Sequence, residues 1–317
     1  MLTRLCHSFR RHTHPITSLC WIGNSLVSSC QSTIIFWNVK SRRPVKVLNF
    51  PSDSTLPGGI LNVEKISFKD QILIQYRGGQ HIVYDYEQDV HIQTFNLNYS
   101  GFCKSLVVDS STIVVVDSSN DKVILYDIGN LHRVKTFSID DGTIKTGHVT
   151  SCLFKPPYTL AIGYESGGVF LFDIRADHHF AQFQPFPEAV MTLGILDHLF
   201  VAGSAPNHPL MVFSPTQPPT AVSLSGSNAL EMLPGVCSLT SEGSLLAVSL
   251  WTAKTLILKL KEDGLIKFLG FVDPPLVAKG GDDAVFLSVA LIHTENDRVF
   301  LYTGMNDGVI SCHEIIL

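Results

Sequence analysis

The chain has 317 residues, of which 45% are hydrophobic and 16% charged, and its formal net charge is -5. It is too apolar and too weakly charged to be disordered, and it lacks the basic excess of a protein that binds nucleic acid through its phosphates. The strongest apolar run, AVFLSVALIH at 284–293, is about half of the roughly 20 residues that a membrane-crossing helix needs.

Seven Lys or Arg and no Asp or Glu precede Asp53. An acid-free start with Arg4, Arg10 and Arg11 has the composition of a transit peptide. Those arginines open no amphipathic helix, however, and strand-like sequence already begins at Ile16, so the segment reads as part of the fold. The seven cysteines are odd in number and scattered, without a CxxC pair. They read as reduced, mostly buried thiols of a cytosolic or nuclear protein.

From residue 32 onward, short β-branched runs ending in an aromatic-polar step recur along the chain. In order they are STIIFWNV at 32–39, QHIVYDY at 80–86, DKVILYDI at 121–128, GGVFLFDI at 167–174 and HPLMVFS at 208–214. Two weaker copies follow, AKTLILKL at 253–260 and DGVISCHEI at 307–315. With Trp37, Tyr84, Tyr126, Phe172, Phe213, Leu258 and His313 as equivalent positions, the intervals are 47, 42, 46, 41, 45 and 55 residues. A period of this length marks a repeat architecture.

Within the fourth unit, strand-like runs lie at 149–154, 158–164, 168–174 and 179–184, with turn residues between them. Four short antiparallel strands cannot bury both faces of a small sheet alone, whereas seven such sheets stacked radially can. The predicted fold is therefore all-β, a seven-bladed WD40-like β-propeller formed by 1–317 as a single domain. A β-sandwich shows no such period and β-helix coils are far shorter. The seventh unit supplies only three strands, near 283–291, 298–303 and 308–315, before the chain reaches Leu317. The segment LTRLCHSF at 2–9 is the predicted fourth strand of that last blade, covering its open edge.

The aromatic-Asp steps Tyr84-Asp85, Tyr126-Asp127 and Phe172-Asp173, with Trp37-Asn38 and the Gly147-His148 pair, resemble those of WD40 repeats. The stretch GHVTSCLFKPPYTLAIGYESGGVFLFDI at 147–174 is similar to the WD40 family of ASTRA-associated protein 1 and G-protein-β-subunit-like protein 1. SGFCKSLVV at 100–108, NDKVILYDI at 120–128, EAVMTLGI at 188–195 and YTGMNDGVISCHEI at 302–315 agree with it in order. Phe172 and His313 depart from the family pattern, which has Trp there. The resemblance implies a non-enzymatic scaffold found in nucleus and cytoplasm. Its implied partners are subunits of the ASTRA and TTT assemblies and the phosphoinositide-kinase-like protein kinases that TTT helps to mature, with a further implied role in chromatin regulation.

No linear motif for chemistry competes with this reading. The sequence Gly163-Tyr164-Glu165-Ser166-Gly167-Gly168 meets neither phosphate-loop pattern and reads as a hairpin turn. His178 and His179 would point to opposite faces of a strand, and His12 with His14 lacks an evident third ligand, so no metal or other cofactor is expected. Asp85, Asp127 and Asp173 read as caps of the turn after each third strand. The alternative function is a propeller enzyme or small-ligand receptor using the channel mouth, its groups drawn from several blades.

Partner contacts are expected in the turns between second and third strands. Those positions are Arg77, Tyr164, Glu165, Trp251, Asn306 and Asp307. Arg77 and Trp251 stand out because neither residue type forms turns and both are enriched at binding hot spots. Asn306-Asp307-Gly308 also has the composition of a tight turn.

Overall fold

The computed structural model describes residues 2–50, 58–99, 101–117, 121–139, 145–222, 232–273 and 287–317. Strand β1 (Leu2–Arg10) comes first. The first blade then contains β2 (Ser18–Ile22), β3 (Ser25–Ser29), β4 (Thr33–Asn38) and β5 (Arg43–Asn49), and the second β6 (Ile60–Lys65), β7 (Gln71–Tyr76), β8 (Gln80–Asp85) and β9 (Val90–Asn96). The third has β10 (Leu106–Val107), β11 (Thr112–Asp117), β12 (Lys122–Asp127) and β13 (His132–Phe137), and the fourth β14 (Val149–Lys155), β15 (Thr159–Tyr164), β16 (Val169–Asp173) and β17 (His179–Phe183).

The fifth blade comprises β18 (Val190–Leu196), β19 (Leu199–Ser204), β20 (Met211–Ser214) and β21 (Gln217–Ala221), and the sixth β22 (Val236–Glu242), β23 (Leu245–Leu250), β24 (Thr255–Leu260) and β25 (Ile266–Val272). The last has β26 (Leu287–Glu295), β27 (Arg298–Met305) and β28 (Val309–Ile316). Seven four-stranded sheets result, and the seventh has the order β1-β28-β27-β26. The chain is an all-β, seven-bladed β-propeller, with no helix among the described residues. By backbone proximity it divides into two compact units, 20–190 and 1–19 with 191–317.

All seven positions that set the sequence period fall in the third strand of their blades. The register explains why they are equivalent. In six blades the pairing of third and fourth strands slips at the same place. The slips lie at Phe36/Trp37, Val83/Tyr84, Leu125/Tyr126, Leu171/Phe172, Val212/Ser214 and Ile257/Leu258. In the seventh, β1 slips between Leu5 and His7, opposite His313 and Cys312. The N-terminal strand thus carries the β-bulge of a fourth strand at the position where a fourth strand needs it.

In four of these blades the bulged residue, Val45, Ile92, Val134 or Phe180, is an exposed hydrophobic. A bulge twists an outer strand and interrupts its free hydrogen-bonding edge, which discourages further strands from adding there.

The predicted side-chain roles follow from this frame. Phe172 is fully buried, in edge-to-face contact with Phe137 of the preceding blade at 5.3 Å between ring centroids. Trp37 donates its indole N–H to Ser28 Oγ at 2.8 Å, which satisfies the one polar atom of an otherwise apolar buried ring. Asp85 Oδ1 accepts the backbone N–H groups of Glu87 and Gln88, and Asp127 Oδ1 those of Gly129 and Asn130. Asn38 Oδ1 accepts Ser41 N–H, and Asp173 Oδ1 accepts Arg175 N–H. The recurrent polar residue after the aromatic is therefore a turn cap, which holds the third strand to the bend before the fourth.

First strands pose a different problem, since one edge of each has no neighbouring strand in its own sheet. Side chains from the preceding blade supply partners. Asn62 Nδ2 donates to Ser105 O at 3.2 Å, and Glu64 Oε2 accepts Val107 N–H at 3.1 Å. Thr150 Oγ1 donates to Val190 O at 2.7 Å, and Ser238 Oγ accepts Ala290 N–H at 3.2 Å. Polar residues in these strands satisfy backbone groups that would otherwise be buried unpaired.

Candidate functional site

The turns between second and third strands of the second, fourth, sixth and last blades share one backbone plan. In the second blade Arg77 N–H donates to Gly59 O at 3.0 Å, and Gly79, at φ +85°, donates back to Tyr76 O. The fourth blade repeats this with Glu165 N–H to His148 O at 2.9 Å and Gly167, at φ +86°, to Tyr164 O. In the sixth, Trp251 N–H reaches Gly235 O at 3.1 Å and Ala253 takes the left-handed place at φ +65°. In the last blade Gly308 N–H donates to Met305 O from φ +79°. Arg77, Glu165, Trp251 and Asn306 are accordingly equivalent.

The same left-handed residue lies where the chain crosses to the next blade. A Cβ on Gly79 would lie 2.1 Å from Leu97 O, and one on Gly167 would lie 2.1 Å from Phe186 O. Glycine is required at both positions by backbone sterics as well as by φ.

The structure sorts the six expected contact residues. Arg77, Glu165 and Asn306 are exposed in their turns. Tyr164 is not in the turn: it ends β15 with 1% exposure, packed in the core between the third and fourth blades, and presents no surface to a partner. Asp307 is partly buried and caps its own turn by accepting Val309 N–H at 2.9 Å. Trp251 is half-buried, lying over Gly235 so closely that a Cβ there would meet its Cδ2 at 2.6 Å. It is a lid on its own blade as well as a surface residue.

Two further groups sit beside these turns. His148 Nδ1 and Asp121 Oδ1 are 2.6 Å apart, and this hydrogen bond raises the imidazole pKa above its ordinary value. Phe102, on the segment between the second and third blades, is 76% exposed beneath the Arg77 guanidinium, which lies 5.4 Å from its ring centroid. Sequence reading did not single out Phe102. The available signal was an aromatic after a glycine in a connecting segment.

A second constellation occupies the first strands. Cys20 on β2, Glu64 on β6 and Lys104, just before β10, are close enough to shift one another's ionisation. Burial raises the Glu64 pKa to about 8, against the lowering effects of the Val107 N–H bond and Lys104. Burial likewise lowers that of Lys104, against Glu64, and raises that of the Cys20 thiol to about 12. Glu64 and Lys104 retain some solvent contact although protein surrounds them. Their chemistry is that of a desolvated acid-base pair, with Cys20 held as the thiol rather than the nucleophilic thiolate.

His179 packs its ring against Phe170 and Phe172, while His178 is exposed. No group of three metal-ligating side chains occurs among the described residues. No helix among them is long and apolar enough to cross a membrane. Compared with known proteins, the chain matches no family model and has no significant match among curated proteins.

Proposed function

We propose that the chain is a non-enzymatic interaction scaffold of the WD40 type that acts in nucleus and cytoplasm. In this reading its partners are subunits of the ASTRA and TTT assemblies and, through them, phosphoinositide-kinase-like protein kinases and chromatin regulation. One observation carries the scaffold reading: a single backbone plan displays chemically different side chains, Arg77, Glu165, Trp251 and Asn306, at one equivalent turn position. Rigid turns with variable side chains are how repeat folds diversify recognition. The partner identities rest on the sequence resemblance of 147–174 and the shorter segments that accompany it. Affinity purification with mass spectrometry tests both. Recovery of TTT and ASTRA subunits supports the assignment, and a reproducible set of unrelated partners overturns the named assemblies.

A second reading, a small-ligand receptor or propeller enzyme, is supported by the approach of Glu64 on β6 to Lys104, just before β10. Perturbed acid-base pairs cluster at functional sites, although the Glu64 bond to Val107 N–H also gives the carboxylate a structural task. Thermal-shift screening against small metabolites, with Glu64→Gln as control, separates the two. Stabilisation of wild type alone favours the ligand reading, and its absence across the screen favours the scaffold.

A further inference from the structure

The second-blade turn and the segment that follows β9 are joined backbone to backbone. Leu97 N–H donates to Gly79 O at 3.0 Å, and no side chain fits at position 79. Beyond Phe102 the segment is held by side chains of the second blade. Gln75 Nε2 donates to Cys103 O at 3.1 Å while its Oε1 accepts Ser105 N–H at 2.8 Å, and His81 Nε2 is 2.7 Å from Ser105 Oγ. Tyr99, itself buried, accepts Cys103 N–H through its hydroxyl oxygen. Phe102 is therefore an aromatic ring held out to solvent by a pinned backbone.

Arg77 lies over that ring and makes no ion pair among the described residues. Its neighbours Gly58 and Gly78 are exposed and carry no side chain. An exposed aromatic under a guanidinium that has no carboxylate partner among the described residues suits a ligand that brings an apolar side chain and a carboxylate together. Preorganisation lowers the entropy lost on binding. Single-stranded nucleic acid also stacks on aromatic rings, but a polyanion needs a run of cations and Arg77 is the one cation that this pair supplies.

We propose that Arg77 and Phe102 form a docking site for an acidic peptide segment of a protein partner, whose carboxylate pairs with Arg77 and whose neighbouring apolar side chain rests on Phe102. This rests on the scaffold reading and specifies the chemistry of one of its contacts. Arg77→Lys should retain only part of the binding, because an ammonium has neither the fork nor the flat stacking face of guanidinium.

The test is selection of short random phage-displayed peptides on the wild-type protein, with Arg77→Ala and Phe102→Ala for counter-selection after their melting temperatures are matched to wild type. Enrichment of Asp or Glu next to Phe, Tyr or Leu, with at least about tenfold weaker binding to each variant, is the expected result. Failure to enrich acidic peptides, binding to both variants as tight as to wild type, or tighter binding of oligouridine than of the selected peptides overturns the proposal. Co-purification of TTT and ASTRA subunits from cells is read separately. If those partners are recovered while acidic peptides are not selected, the docking chemistry fails and the scaffold reading stands.

Discussion

Leu5 of the first strand pairs with His313 of the last, and the next residue of β1, Cys6, is bulged out before His7 pairs with Cys312. The bulge makes the N-terminal segment a register-true outer strand, with Phe9 buried beneath it. Deleting residues 1–10 would expose the whole edge of β28 and remove that buried aromatic, so it should lower the melting temperature and promote association through the open strand. Thermal denaturation with size-exclusion chromatography checks this. An unchanged melting temperature and a monomeric profile would show that the strand pairing contributes nothing to stability.

Phe172→Ala should destabilise the protein by about 3 to 5 kcal/mol, the range for removing a fully buried aromatic from a packed core. Its ring packs edge-to-face on Phe137, and both side chains are fully buried. Equilibrium urea unfolding measures the loss. A value below about 1 kcal/mol would mean that neighbouring side chains collapse into the space.

These first two sites were legible in the sequence because strand register forces them. The residue opposite the bulge must be large and must face the neighbouring blade, so Trp37, Tyr84, Tyr126 and Phe172 repeat at one position even as their identity drifts. The turns were legible only to within one residue. Gly167-Gly168 offers two candidates for the left-handed position, and the backbone uses the first, which draws Tyr164 into β15. In Gly78-Gly79 it uses the second. Glu64 and Lys104 are 40 residues apart in sequence, and only the packing of one blade on the next brings them together. No local pattern could have paired them.

The raised pKa of Glu64 gives a signed pH dependence. Its folded value of about 8 lies above the ordinary 4.5, so the native state holds a proton that the unfolded chain has already released. The resulting stabilisation is fully present below pH about 4.5 and is lost as pH rises through about 8. Glu64→Gln keeps an oxygen to accept Val107 N–H and cannot ionise. The melting temperature of wild type should therefore fall relative to that variant between pH 5 and 8. Parallel profiles across that interval would show that the carboxylate stays ionised, stabilised by Lys104.

Trp251 combines a surface position with a structural task, and its substitution must be read accordingly. Its residue type and its place in a turn mark it as a contact candidate, yet its ring lies against Gly235 and is mostly covered. Removing a mostly covered indole should cost roughly 2 to 4 kcal/mol. Trp251→Ala should thus lower the melting temperature, whereas Arg77→Ala, which strips an exposed side chain, should leave it nearly unchanged. Gly235→Ala approaches the same contact from below: its Cβ would lie 2.6 Å from Trp251 Cδ2, at a φ of +98° that alanine adopts poorly, so it should destabilise the blade with Trp251 still present. Comparing the three variants with Trp251→Phe separates recognition from folding. If Trp251→Ala and Gly235→Ala both lose partners while Trp251→Phe is stable and binds normally, the ring acts through the blade's integrity. If Trp251→Phe is stable but fails to bind, the indole itself contacts the partner.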